Sequence, residues 1–591
     1  MRRYAVLFCL FLLTLVAFAQ SDRGAITGGI ADPSGAVVAN AKIEAKNVDT
    51  GATYEVGSST TGNYVISQLP SGKYELTVTV TGFKKYVRQN LEVPVATTVR
   101  QDVKLEVGAT SDVITISDTT PLLKTEGGDV SHNIAYDRVN NLPLLTLTGG
   151  GTGLGNIRNP LAVVTLLPGA SFSGDNTLRI NGLPSSSQAI RIEGQDATNG
   201  MWRQITQINQ SGVDAIQEVS IQTSNFAAEF GQAGGGYFNY TMKSGTNQFH
   251  GSAYDYVNDD VFNAGTPFTD DGHGGHIKNA LHRNDYGFTL GGPILIPKVY
   301  DGHDKTFFFF NFEQFRESTT TATSIATVPT AAYRAGNFAS ATLPFFPPIG
   351  PDPLGRLFPV NQVFDPSTQR SAPDGRLVRD PFAGDQIPVT QFDPVAAKVQ
   401  KLIPNPLGPN ANSPINNYAI PAFDNFRHTT IPSFKIDHSL SSSIKISGYF
   451  SQTHTVSPNS IGLDPSLAPV APQDDTSRTV RLNYDQTLTP TLLLHLGAGI
   501  LHTYRPLISP PYDQGQLWAP NQRFAADLMP SIGNLNNFFT GGVSLGTGFF
   551  APGIGAGAFN DILLTDIKPT GNASLTWVKG NHTYKLGGEG F

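Results

Sequence analysis

Nowhere beyond residue 19 does this chain carry the 18 or more consecutive apolar residues of a membrane-spanning helix. From residue 246 onward, however, it returns repeatedly to segments of roughly ten residues with apolar side chains at every second position. Residues 284–292, NDYGFTLGG, put Tyr286, Phe288 and Leu290 in step, and the pattern recurs at 249–257, 305–317 (with FFFFNFEQF), 433–438, 444–450, 479–486, 491–501, 573–578 and 582–588. Period two is the period of an extended strand, which shows alternate residues to opposite faces. Lipid offers no partner for an unpaired backbone group, so a chain of this kind can cross a bilayer only as a closed β-barrel. The joints at 439–443, 487–490 and 579–581 are short and polar, as on the inner side of such barrels, and Tyr and Phe near strand ends fit an interfacial aromatic girdle.

The first 19 residues, MRRYAVLFCLFLLTLVAFA, read as an export signal: Arg2 and Arg3, an apolar run, then Ala17-Phe18-Ala19 as a small-x-small cleavage site before Gln20. The single cysteine, Cys9, lies inside this signal, which removes disulfides, thiolate zinc sites and cysteine nucleophiles from the mature chain. Only 15% of residues are charged, Gly numbers 61 and Pro 41, and the net charge of −7 gives no basic footprint, so strands and turns are expected and nucleic acid is not a partner.

Residues 20–107 carry short strand runs cut by turn signals: TGGIAD, PSG, AVVANAKIEAKNV, DTG, ATYEVGSS, TTGN, YVISQL, PSGK and YELTVTVTGF. Such spacing predicts an all-β sandwich. The runs GGIADPSGAVVANAKIEAKNVDTG and TTGNYVISQLPSGKYELTVTVTGFKKY resemble the carboxypeptidase regulatory-like domain, a transthyretin-like sandwich related to carbohydrate-binding folds. The resemblance implies no peptidase chemistry. Aromatics such as Tyr86 read first as packing residues, with sugar contact as the alternative.

Residues 108–125 form a polar tether holding one alternating run, Val113, Ile114, Thr115, Ile116 and Ser117. An isolated strand is not stable in water, so the run either completes a neighbouring sheet or waits for a partner to add by β-augmentation. Downstream, SHNIAYDRVNNLPLL, TGGGTGLGNIRNPLAVVTLLPGA, LRINGLPSSSQAIRIEGQDATN and VDAIQEVSIQTSNFAAEFGQAGGGYFNYTMKSGTNQFHGSAYDY resemble the plug and first barrel strand of TonB-dependent outer-membrane transporters, the Oar-like class in particular. The resemblance implies a plug over 126–245, a barrel from 246 and a TonB box at Val113–Ser117, with TonB as periplasmic partner. A last sandwich strand is the alternative for that run. Within the plug, 179–182 and 190–194 are expected to pair as strands with glycine bends. Val219 and Ile221 are expected on one face of a strand and Glu218 and Ser220 on the other. Arg179, Arg191, Glu193, Glu218 and Glu229 are the candidates for contact with the barrel's polar interior, with ordinary solvated charge as the alternative.

Residues 318–430 are Pro-rich, with short helices expected at 330–335 and 393–403, and read as a long external loop facing ligand. Without that loop roughly 230 residues of wall remain, enough for about ten strands at about 20 to 25 residues each. Plugged transporters use about 22, so the chain is expected to be an N-terminal part of a larger barrel.

Other motifs carry less. Asp270-Asp271-Gly272-His273-Gly274-Gly275-His276, with His282, has no zinc-site spacing and reads as external loop. GGGTGLGNIRN lacks the strand, helix and downstream acid of a dinucleotide fold. No Gly-x-Ser-x-Gly, HExxH or P-loop occurs, so no catalytic residue, cofactor or metal is assigned. The expected architecture is mainly β: a sandwich, a plug and a partial antiparallel barrel in the outer membrane. The expected function is energised uptake of a large ligand, an oligosaccharide or peptide. The rival is a secreted carbohydrate-binding or adhesive β-protein. Heat-modifiable mobility in the outer-membrane fraction is expected; release into the soluble medium would favour the rival.

Overall fold

The computed structural model describes residues 23–117, 126–141, 472–507 and 562–591, and 158–458 apart from short stretches at 159, 161–162, 165–166, 173–177, 185–186, 199–208, 228, 232, 266, 268–274, 277, 279, 322–323, 342–349, 393–396, 398–399, 402 and 414. The export signal, most of the glycine-rich run, residues 270–274 and most of the expected helix at 393–403 lie outside the described residues.

Among the described residues, nine strands build the N-terminal sandwich: β1 (Gly24–Ala31), β2 (Lys42–Asn47), β3 (Thr53–Gly57), β4 (Asn63–Leu69), β5 (Gly72–Thr79), β6 (Lys85–Val93), β7 (Thr98–Arg100), β8 (Val103–Lys104) and β9 (Val113–Ile116). One sheet runs β4-β1-β7 with β8 also on β1, the other β3-β2-β5-β6-β9. Strict alternation in β1 and β5 turns Ile26, Ile30, Tyr74, Leu76 and Val78 inward, fully buried between the sheets. The sandwich also places Tyr86 and the run at 113–117. Tyr86 is buried at 4% exposure and its hydroxyl accepts from Gln101 Nε2, so it packs the core and presents no face to a sugar. The run at 113–116 is docked as β9, parallel to β6, with Tyr86 opposite Ile114 and Arg88 opposite Ile116. β9 is thus the last strand of its sheet, and among the described residues no strand pairs with its outer edge.

The plug comprises β10 (Val130–Ala135), β11 (Ala170–Phe172), β12 (Leu178–Ile180), β13 (Ala189–Ile192), β14 (Gln195–Asp196), β15 (Ile216–Ser224) and β16 (Tyr237–Met242). Five form a mixed sheet, β10-β15-β16-β13-β14, while β11 and β12 make a separate hairpin. The two glycine-bend segments therefore do not pair with each other: β12 pairs β11, and β13 pairs β14 and, in parallel, β16. Glu193-Gly194 joins β13 to β14 with both residues at positive φ (52° and 83°), the two-residue turn whose twist suits a hairpin. Val219 and Ile221 are fully buried in an apolar cluster with Ile180, Ile190, Ile216 and Phe238, so the plug carries its own core.

The wall, among the described residues, is one nine-stranded antiparallel sheet. Its strands are β17 (His250–Asp259), β18 (Leu281–Pro293), β21 (Thr306–Thr321), β26 (Phe423–Ser439), β27 (Ile444–Ser457), β28 (Gln473–Thr489), β29 (Leu492–Leu507), β30 (Ile562–Lys579) and β31 (His582–Gly590). The short β19 (Leu295–Ile296) and β20 (Tyr300–Asp301) decorate one tight turn. β22 (Ser324–Ala326) pairs β25 (Tyr418–Ile420), and β23 (Phe364–Ser371) pairs β24 (Leu377–Pro381), in the long connection between β21 and β26. The expected helix near 330 is present as one turn, Ala331–Arg334, capped by the Thr330 hydroxyl. Strands such as β26 and β28, each 17 residues, run well past the alternating segment that betrays them, because only the stretch inside lipid needs an apolar face.

Wall alternation is inverted relative to a soluble sheet. Along β28, Ser477, Thr479, Arg481, Asn483 and Asp485 are buried, while Val480 and Leu482 are exposed; Phe288, Leu290, Phe434, Phe450 and Leu496 join them on the outer face. The polar row meets the plug and the apolar row meets lipid. In FFFFNFEQF, Phe307, Phe309, Asn311, Glu313 and Phe315 turn in and the residues between them turn out. Leu482→Arg should cost about 2–4 kcal/mol where it falls near the bilayer midplane, read as a lower denaturant midpoint in vesicles, whereas Leu482→Phe should leave that midpoint unchanged.

Candidate functional site

The contact between plug and wall is built from charge. Arg191 leaves β13 toward β31, where its guanidinium donates to both carboxylate oxygens of Glu589 at 2.7 and 3.2 Å. Arg191 Nε donates to the Tyr237 hydroxyl at 2.8 Å, and its guanidinium stands 5.1 Å from the Phe591 ring. Burial raises Tyr237 above an ordinary phenol, so it stays neutral as the acceptor of that bond. Glu193, held at positive φ in the β13–β14 turn, accepts from Met242 N–H at 2.7 Å and from Lys435 Nζ of β26 at 2.8 Å. A non-glycine residue in that backbone region is strained, and these two bonds give the strain a partner. Behind the same turn, Arg481 of β28 donates to Asn483 at 2.8 Å and Gln195 of β14 donates to Thr570 at 2.8 Å.

A second charged contact was not legible as such in the sequence. Arg158, near the end of the glycine-rich run, reaches three carboxylates: Asp214 of the plug at 2.8 Å, Asp285 of β18 at 3.2 Å and Glu313 of β21 at 3.4 Å. The rings of Tyr254 and Tyr256 flank its guanidinium at 4.5 Å each. Glu313 also accepts from Tyr254 at 2.9 Å and from Val213 N–H at 3.0 Å, and Tyr136 donates to Asp214. The one available signal was an acid at an inward position of an alternating wall strand: Asp285 between Asn284 and Tyr286, and Glu313 within the phenylalanine run.

Of the five charges expected at the wall, three reach it. Arg191 and Glu193 do so buried, and Glu229 does so at the surface through Lys585. Glu218 instead turns to the sandwich: its carboxylate accepts from Val95 N–H at 3.1 Å and from Asn133 Nδ2 at 2.7 Å, while Asn133 Nδ2 also donates to Val95 C=O at 3.0 Å. The outward face of β15 was read correctly but assigned to the wrong neighbour. Arg179 lies exposed on β12 and makes no ion pair with the wall among the described residues.

The sandwich in turn sits on the short-turn end of the wall. Gly57 N–H donates to Pro490 C=O at 2.8 Å, Ser59 Oγ to Gly580 C=O at 3.1 Å, Asn63 Nδ2 to Asn581 Oδ1 at 3.0 Å, and Asn247 N–H to Asp49 C=O at 3.1 Å. Leu493 of β29 enters the sandwich's apolar cluster. At the opposite, outer end, Asp259, Asp260 and His282 bring one ligating atom each within 4.8 Å of one another. His282 Nδ1 already bonds to Asp259 at 2.8 Å.

Removing one partner of a buried pair leaves the other charge unsolvated, which costs about 3–5 kcal/mol. Arg191→Ala should therefore loosen the plug, seen as faster proteolysis of residues 126–245, and Arg191→Ala with Glu589→Ala should lose less than the sum of the single changes.

The family described as outer membrane beta barrel domain matches residues 241–591, and the carboxypeptidase regulatory-like domain matches residues 25–106. The TonB-dependent transporter Oar of Myxococcus xanthus is 30% identical over 310 residues, covering 50% of this chain and 27% of that protein. The chain thus aligns with about a quarter of the length of that curated relative. Among solved structures, the outer membrane transporter YddB from Escherichia coli is matched at 12% identity over 78% of this chain and 47% of that one, with a TM-score of 0.44. A mutant of the ferric enterobactin receptor PfeA from Pseudomonas aeruginosa is matched at 12% identity over 78% and 48%, with a TM-score of 0.37. The barrel family covers more than half of the chain and places it in the outer membrane, against the reading as a secreted adhesin. This chain belongs to the outer membrane beta barrel domain family and carries a carboxypeptidase regulatory-like domain ahead of it.

Proposed function

We propose that this chain acts in a receptor and channel that takes up a large ligand, an oligosaccharide or peptide, using energy delivered from the inner membrane by TonB. The observation that carries the reading is the plug's placement. A sheet with its own apolar core is held against the polar face of the wall by Arg191–Glu589, Glu193–Lys435 and the Arg158 cluster. Polar contacts of this kind can be exchanged for water when a stopper shifts, and among the described residues the wall adds only Phe309 and Tyr449 to the plug's apolar cluster.

Ligand meets the long connection between β21 and β26 and the outer surface of the plug. The run Val113–Ser117 lies with the sandwich, which packs on the short-turn end of the wall, the periplasmic side of such barrels. TonB pulling there shifts the plug, and the chain itself performs no catalytic step. The size of the outer connection and the added sandwich support a large ligand over a small one.

Deleting residues 112–117 from the full-length gene should reduce accumulation of labelled oligosaccharides and peptides to the level of a strain lacking the gene, with outer-membrane abundance unchanged. Undiminished accumulation in that deletion strain would refute energy coupling through this run.

A further inference from the structure

β9 closes one edge of the sandwich sheet and leaves another open. Lys85 N–H donates to Asp112 C=O at 2.8 Å, which sets the phase of the parallel pair. Backbone groups alternate sides along a strand, so Asp112, Ile114 and Ile116 bond toward β6. The N–H and C=O of Val113 and Thr115 consequently face away from the sandwich. β9 is the last strand of its sheet, and among the described residues nothing pairs with that outer edge. Val113 is 54% exposed and Thr115 is exposed, while Ile116 packs against the sandwich core.

Resting on the reading of 113–117 as the TonB contact, we propose that TonB adds its strand to this outer edge while β9 stays docked on β6, so that the sandwich as a whole, not a free peptide, is the body that is pulled. Three features carry this. The edge offers two donors and two acceptors already held in extended geometry, so no ordering cost remains for β9 when a strand adds. The sandwich grips the plug through Val95, Glu218 and Asn133 directly after β6, so displacement of the sheet reaches β10 and β15. In sequence the run is bracketed by Asp112 and Asp118, which favours a basic partner strand. A second copy of the chain, paired antiparallel about Thr115, would set Asp112 against Asp118, and like charges directly opposite are destabilising.

The mature chain has no cysteine, so Lys85→Cys with Val113→Cys, neighbours in register, creates one disulfide that locks β9 to β6. Binding of the purified periplasmic domain of TonB to the detergent-solubilised chain should differ by less than about twofold between oxidised and reduced forms. Thr115→Pro, which removes an outward N–H and none that bonds β6, should weaken binding about tenfold or more, the effect of one lost backbone bond at an edge. Hydrogen exchange should still show Ile114 and Ile116 amides protected in that variant. A loss on oxidation that reduction restores would overturn the proposal while leaving the TonB assignment intact. Absence of binding in both redox states would remove the assignment and the proposal together. Self-association of the locked chain through this edge, seen by sedimentation, would show the occupant to be a second copy and overturn it as well.

Discussion

The wall depends on one constraint: inside a bilayer each backbone polar group must be bonded within the protein, so the sheet's hydrogen bonds are obligatory and only the side chains are free to vary. Alternation then divides each strand between two solvents. Outward residues such as Leu482 and Phe434 meet lipid, and inward residues such as Ser477, Arg481 and Asp485 meet whatever fills the lumen. With the plug in place, that inner row becomes a buried polar surface, and its charges require partners.

Those partners explain the particular residues of the plug. Arg191, Glu193 and Arg158 each answer an opposite charge on the wall, and Glu193 does so from a backbone conformation that a side-chain-bearing residue adopts only under constraint. The apolar material stays mostly within the plug, with Phe309 and Tyr449 as the wall's contributions to its core. The stopper is thereby a folded unit fastened by discrete bonds, a construction suited to an element that has to shift without unfolding.

The sandwich links the two. It bonds to the wall's tight turns through Gly57, Ser59 and Asn63, and to the plug sheet through Val95. The chain leaves it at β9 and enters the plug at β10. A force applied to the sandwich thus acts on the wall contacts and the plug contacts at once.

The sequence by itself determined the strands and their faces. Period-two runs located the nine wall strands now described, against about ten expected, and placed Tyr286, Phe288 and Leu290 together on one face. Turn residues likewise marked the sandwich, because glycine and proline bends and alternating Val and Ile are local properties of the chain. Local rules did not say which neighbour each face would meet. Glu218 pointed outward as expected but toward the sandwich. Arg158 stood in an unremarkable glycine-rich run yet became the centre of three carboxylates. Tyr86 was open to packing or sugar contact and is core, and the run at 113–116 was open to a sheet edge or a partner and is docked on β6. Strand phase follows from residues one or two apart, whereas pairing partners come from residues up to hundreds of positions away, so only the tertiary structure decided them.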